Sequence, residues 1–309
     1  MIVLIMFFSI DTLKLIPLWS KEQMTRPEYQ IGMVSDMEVY KGRIYIVDKQ
    51  FSRVAVFDTT GKYIMDIGAP GQGPGEFTYP SDLEIYNDTV YLSDNGNGRM
   101  NVYNLRGDFL FAFPGIYSNE IEISEKRIFL FYGLKDKLVE VYDRLTGRLI
   151  DSIGEGFKVP GRRRNSRHWA EEQSFNHGFL EVVGDTVYFF FDAVRIKGKF
   201  LKVYEKQGEI FTLQRNLSFD IRFRNYTVKE KQEELKNHLW YRLFSDAKIC
   251  DGRIYVFSTY IEIFDRNGRY IKTILPRMGN VSSIIFKFAV DRSQRIWGIE
   301  DKNLYKLVK

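Results

Sequence analysis

An apolar residue, a short polar turn and a β-branched–aromatic pair recur six times along the chain. The copies read Val39-Tyr-Lys-Gly-Arg-Ile44-Tyr45, Ile85-Tyr-Asn-Asp-Thr-Val90-Tyr91 and Ile123-Ser-Glu-Lys-Arg-Ile128-Phe129. They continue as Val182-Val-Gly-Asp-Thr-Val187-Tyr188, Ile249-Cys-Asp-Gly-Arg-Ile254-Tyr255 and Val290-Asp-Arg-Ser-Gln-Arg-Ile296-Trp297, the last with one extra turn residue. Alternating apolar and polar positions on either side of a tight polar turn are the mark of a β-hairpin. A second hairpin follows in most units, around Thr60-Gly61-Lys62, Arg106-Gly107-Asp108, Thr146-Gly147-Arg148, Gln207-Gly208-Glu209 and Asn267-Gly268-Arg269. Glycine at the turn supplies the positive φ such a connection needs.

Two hairpins make four strands, the content of one propeller blade, and a fixed repeat of such units is read before any local signal. The sixth unit lacks a last strand, since the chain reaches Leu304-Tyr-Lys-Leu-Val-Lys309 and stops. A spare strand stands near the N-terminus, around Phe8 to Pro17. Pairing the two would close a ring and remove two exposed sheet edges. The expected architecture is all-β: one six-bladed β-propeller over residues 1–309, closed by the N-terminal strand.

Composition agrees with this reading. Hydrophobic residues make up 44% of the 309 positions and aromatics 16%, with 25 Phe and 19 Tyr. Aromatic and β-branched side chains suit a pleated, half-buried surface. One cysteine, Cys250, excludes an intrachain disulfide. The run Met1 to Phe8 is almost wholly apolar. It lacks the basic start and small-residue cleavage site of a complete signal peptide and is too short to span a bilayer, so it reads as a buried strand, the competing reading being the remnant of a trimmed export signal.

Gly68-Ala-Pro-Gly-Gln-Gly-Pro-Gly-Glu-Phe77, then Pro80, then Asp94-Asn-Gly-Asn-Gly-Arg-Met-Asn-Val102 resembles an NHL repeat, with a weaker form at Asp48 to Arg53. The whole chain is similar to the six-bladed propeller proteins of gut-anaerobe cell envelopes. That resemblance implies a periplasmic or cell-surface location. The glycine-rich stretch is not expected to hold a nucleotide: a phosphate loop opens a helix, whereas this one carries Pro74 and leads to a strand.

With the strands of a blade lettered A to D from the axis outwards, the D–A and B–C loops share one face. Two D–A connections are long, Glu155 to Gly178 and Arg215 to Leu243, and long loops on a rigid scaffold tend to carry function. The first holds five Lys/Arg against three acids and the second seven against four; their excesses of +2 and +3 equal the chain's net charge of +5. All three histidines, His168, His177 and His238, lie in them. Arg162, Arg163, Arg164, Arg167, His168 and Trp169 form the candidate ligand-binding set, because arginine beside aromatic rings attracts and stacks on anionic ligands. The competing reading is a solvated loop. In the second insertion, Thr227-Val-Lys-Glu230 is a capping box, and Leu235, Leu239 and Leu243 predict a helix from about Val228 to Trp240. No motif for nucleic acid is present, and the excess of charge is too small to suggest one.

The A strands hold the other clue. Glu38, Glu84, Glu122 and Glu181 precede the recurring apolar residue in units one to four, with Lys248 and Ala289 at that place in units five and six. Two residues earlier stand Asp36, Asp82, Glu120 and Asp246. Such positions line a propeller's axis, so the acids would stack as rings, raise one another's pKa or take up a cation. Calcium, which prefers oxygen ligands, is the cofactor this would suit, with Asp36, Glu38, Asp82, Glu84, Glu120 and Glu122 as candidate metal ligands. The competing reading is a water-filled polar channel whose acids bond neighbouring strands.

These features point first to a monomeric binding module, presenting a basic, aromatic face to an anionic glycan or an envelope protein. No G-x-S-x-G or other nucleophile motif appears, which leans against an enzyme. The alternative is a calcium-dependent hydrolase or lyase acting on a lactone or sugar acid, as the likeness to six-bladed propeller enzymes implies.

Overall fold

The computed structural model describes residues 10–131, 137–156, 176–191, 201–207, 210–217, 246–257, 260–278, 281–282, 287–300 and 302–308. Six units of four antiparallel strands follow one another around an axis, forming a six-bladed β-propeller. The innermost strands are Val34–Tyr40, Pro80–Tyr86, Ile121–Ile123, Gly178–Val183, Asp246–Cys250 and Lys287–Val290. Each repeats the predicted hairpin register: Val39 faces Ile44, Ile85 faces Val90, and Val290 faces Ile296.

The aromatic of each recurring pair, Tyr45, Tyr91, Phe129, Tyr188, Tyr255 and Trp297, is buried. Six apolar clusters result, one at every junction between blades. Between blades 1 and 2, Val47, Val54 and Val56 pack with Phe77, Leu83 and Leu92. Between blades 6 and 1, Trp297 and Ile299 pack with Met37, Ile44 and Phe57. Burying each such side chain contributes roughly 1.5–3 kcal/mol, so the faces between blades, not the strands alone, hold the ring together.

A β-bulge interrupts the third strand of blades 1 to 5 at the same place, at Val56–Phe57, Val102–Tyr103, Val141–Tyr142, Val203–Tyr204 and Ile263–Phe264. Bulges add local twist, which a radial stack of sheets requires. The turn glycines have the expected backbone; φ is +86° at Gly61 and +84° at Gly107.

Closure takes the predicted form and adds a second contact. Lys14–Pro17 of the N-terminal strand Ile10–Pro17 pairs antiparallel with Tyr305–Val308, completing blade 6. Ile10–Lys14 pairs in parallel with Thr273–Arg277, the outer strand of blade 5. The strand thus staples two blades, with Leu13 and Leu15 buried in the cluster between them.

The predicted helix Val228–Trp240 and the ligand-binding set Arg162, Arg163, Arg164, Arg167, His168 and Trp169 lie outside the described residues. The insertions are shorter at their edges than the sequence suggests. Glu155 ends the outer strand Leu149–Glu155 and pairs with Lys137. Arg215 belongs to the outer strand Ile210–Leu217, where it donates to Asn267 Oδ1 at 3.0 Å and faces Glu205 at 3.6 Å.

Candidate functional site

The six inner strands place two layers of ionisable side chains along the axis. The upper layer, towards the D–A loops, holds Asp36, Asp82, Glu120, Asp246 and Lys287; the lower holds Glu38, Glu84, Glu122, Glu181 and Lys248. Alternation along a strand puts residues i and i+2 on one side, which is why both layers face the channel.

Four of the acids, Asp36, Asp82, Glu181 and Asp246, are tied into the ring. Asp36 Oδ2 accepts the N–H of Leu83 at 3.3 Å, Asp82 Oδ2 that of Ile121 at 2.6 Å, and Glu181 Oε2 that of Ile249 at 2.9 Å. In each case the acceptor sits on one blade and the donor on the inner strand of the next. The two lysines fill the centre: Lys248 Nζ lies 3.8 Å from Asp36 and 3.9 Å from Glu181, and Lys287 Nζ lies 3.8 Å from Asp246.

This crowding sets the protonation of the channel. Burial pushes Glu38 up to about 7, with Asp36 and Asp246 repelling and Lys248 opposing. Burial likewise pushes Glu120 up to about 7 and Glu181 up to about 8. Asp82, Glu84 and Glu122 stand well above the usual carboxylate range, through burial first and neighbouring carboxylates second. Asp36 is the exception. Burial pushes it up, but the Lys248 and Lys287 ammoniums and the N–H groups of Met37 and Leu83 outweigh that and hold it low. Both lysines are raised, since the carboxylates around them outweigh their burial.

All six predicted metal ligands therefore line the channel, as the sequence places them. Of these, Asp36 meets the Lys248 ammonium and the N–H of Leu83, and Asp82 the N–H of Ile121. Among the described residues no group of three or more His, Cys, Asp or Glu is disposed to hold a metal ion. Sequence reasoning noted Lys248 as a break in the acidic pattern but missed Lys287. The signal was present, since Lys287 stands two residues before Ala289, in register with Asp36, Asp82 and Asp246.

The loops over the channel mouth are held by buried aspartates. Asp94 Oδ1 accepts the N–H of Thr78 at 2.8 Å; its Oδ2 accepts from Asn97 at 2.7 Å, Arg99 at 3.3 Å and Asn101 at 3.4 Å. Arg99 goes on to Gly73 O at 2.6 Å and Glu76 O at 2.9 Å, and Asn97 to Gly71 O at 3.0 Å. The Asp, Asn and Arg spacing thus clamps the glycine-rich loop to the second hairpin strand. Blade 1 has the weaker version: Asp48 accepts from Gly32 N at 2.8 Å and Gln50 N at 3.0 Å, while Arg53 pairs with Asp66 at 2.9 Å.

On these clamped loops large side chains stand in the open. Met33, Tyr79 and Tyr117 are exposed, each three residues before an upper-layer acid, and Phe51 joins them from a B–C turn. Lys49, from the same turn as Phe51, holds its ammonium 4.9 Å from the centre of the Tyr79 ring. Burial pushes Lys49 down, offset in part by Asp82 and Glu120.

A closed ring of six four-stranded blades around an axial channel defines a six-bladed β-propeller. A family model described as a 6-bladed beta-propeller matches residues 9–113. Among solved structures, a Bacteroides fragilis protein inferred to be exported is 13% identical, with a TM-score of 0.61 over 97% of this chain and 100% of that one. U3-55K is 9% identical, with a TM-score of 0.55 over 89% of this chain and 95% of that one. A streptogramin B lyase is 9% identical, with a TM-score of 0.52 over 90% and 95%. These likenesses concern the fold. No curated protein matches the chain at a significant level. Among the described residues no helix is long and apolar enough to cross a membrane.

Proposed function

We propose that the chain is a binding module of the cell envelope, NHL-like in its blade loops and monomeric. Its D–A and B–C face meets an anionic glycan or an envelope protein. The carrying observation is the contrast at the channel: its lysines are engaged by axial acids, while the large side chains around its mouth are exposed. A rigid frame with exposed aromatic groups favours recognition over chemistry. The basic insertions, with Arg162, Arg163, Arg164, Arg167, His168 and Trp169, belong in sequence to the D–A connections of this face. That the Bacteroides fragilis propeller is inferred to be exported supports the envelope setting.

The calcium-dependent hydrolase or lyase is the weaker reading. A cation among Asp36, Glu38, Asp82, Glu84, Glu120 and Glu122 would have to compete with Lys248 and Lys287, whose charges already sit among them. The deciding experiment is a screen of anionic glycans against the wild type and an Arg162→Ala, Arg163→Ala, Arg164→Ala triple variant. Binding that falls at least tenfold in the variant supports the basic face; binding of every ligand unchanged overturns it.

A further inference from the structure

Tyr79 is an exposed residue at the channel mouth with a left-handed backbone. Its φ is +61°, a left-handed conformation that costs a bulky L-residue roughly 1–2 kcal/mol and is uncommon outside glycine and asparagine. Pro80 follows it, which narrows the choices further. The backbone is held on both sides. Thr78 N–H goes to Asp94, Thr78 O accepts from Gly96 N at 2.7 Å, and Pro80 begins the inner-strand ladder opposite Asp94. With 51% of its surface exposed, the ring gains little packing in return for that strain. Strain kept in place by the surroundings at an open position marks a place where a side chain is presented.

What Tyr79 is presented with is a cation. The Lys49 ammonium stands against its ring, half-buried, with no carboxylate within ion-pair distance among the described residues. The acids that act on it, Asp82 and Glu120, are held above the ordinary carboxylate range by burial, and Lys287 adds positive charge from blade 6. The surrounding platform is firm. Ser93 Oγ donates to Ser118 O at 2.7 Å, Ser81 Oγ to the same oxygen at 2.6 Å, and Asn95 Nδ2 to Asn119 Oδ1 at 2.8 Å, tying blade 2 to the loop that carries exposed Tyr117. An aromatic face beside an unpaired ammonium and side-chain amides is matched by a ring with one apolar face, hydroxyl groups at its rim and a carboxylate.

We propose that the channel mouth over blades 1 to 3 is a binding site for a sugar acid, its ring laid against Tyr79 and its carboxylate paired with Lys49. The proposal rests on the reading of this face as the ligand face, but not on the basic insertions. The acid is either a free monosaccharide or the terminal residue of a glycan, and the two share this chemistry.

Calorimetric titration with glucuronate, methyl glucuronide and glucose tests it on the full chain. Glucuronate should bind about tenfold or more tightly than glucose, the worth of one charge-assisted hydrogen bond. Lys49→Gln should erase that preference. Tyr79→Gly should weaken the binding of glucuronate tenfold or more while leaving the melting temperature unchanged or raised, because glycine relieves the backbone. Tyr79→Phe should restore binding. Methyl glucuronide binding as tightly as glucuronate identifies a glycan terminus; loss of binding on methylation identifies the free acid.

Equal affinity for glucuronate and glucose, or a preference unchanged in Lys49→Gln, overturns the proposal. So does a Tyr79→Gly protein that binds as the wild type does. An anionic glycan lost in the triple arginine variant but untouched by Lys49→Gln and Tyr79→Gly overturns this site and leaves the basic face standing. The reverse pattern overturns the basic face alone.

Discussion

At the scale of single residues, the channel is governed by two lysines. Lys248 bridges the layers, reaching Asp36 above and Glu181 beside it, and both acids also accept a backbone N–H from the next blade. Removing one member of a buried charged set leaves the others uncompensated, at a cost of about 3–5 kcal/mol in comparable cases. Lys248→Met should therefore destabilise strongly at neutral pH. Asp36 would lose the charge that now holds it low, and it would take up a proton as the pH falls. The deficit should shrink between about pH 8 and pH 5, as urea denaturation of both proteins would show. A deficit that is the same at both ends would mean that Lys248 acts by packing its methylene stem, not by charge. Lys287→Met should follow the same rule more weakly, since among the described residues the one carboxylate within ion-pair distance is Asp246.

At the scale of elements, the loop clamps differ between blades in a way that ranks them. Asp94 is fully buried and collects four donors, from Thr78, Asn97, Arg99 and Asn101. Asp48 collects three backbone donors, from Gly32, Gln50 and Phe51, and Arg53 turns away to Asp66. Bonds to a charged acceptor count for more than neutral ones, and losing the acceptor orphans its donors. Asp94→Ala should cost about 2–4 kcal/mol and speed amide exchange across 71–78, whereas Asp48→Ala should cost less. Equal losses would show that the arginine and asparagine of the motif add nothing to the aspartate.

These clamps, the hairpins and the closing strand were legible in the sequence because each rests on local spacing: period-two alternation, glycine at a turn, an Asp with Asn and Arg at fixed offsets. The parallel pairing of Ile10–Lys14 with Thr273–Arg277 was not, since it depends on where two distant strands meet at the rim. Lys287 needed only the sixth copy read at the same offset as the others. Tyr79 and Lys49 carried no sequence signal, because neither positive φ nor approach across a loop leaves a pattern in spacing.

At the scale of the whole molecule, a ring of inner strands forces every blade's axial acids towards one line, and no single blade can relieve the repulsion alone. The protein answers with protons as well as lysines. Glu38 and Glu120 near 7 and Glu181 near 8, with Asp82, Glu84 and Glu122 raised too, keep protons in the native state that the unfolded chain releases. The native state then binds more protons than the unfolded one between the ordinary carboxyl value and these raised values, so stability falls as pH rises through that window. Lys248 and Lys287, raised, and Asp36, lowered, stay charged in both states across it and do not alter the slope. Lowered surface acids such as Asp58 and Asp143 lose their contribution only under stronger acid. The set titrates as a coupled group, so the fall should be gradual and reach about 2–4 kcal/mol between pH 5 and pH 8, rather than the sum over separate residues. Urea unfolding at pH 5, 6.5 and 8 in one buffer series measures it. Stability that rises with pH across that range would mean that the channel acids are ionised in the native state, and that the lysines and strand N–H groups neutralise them without bound protons.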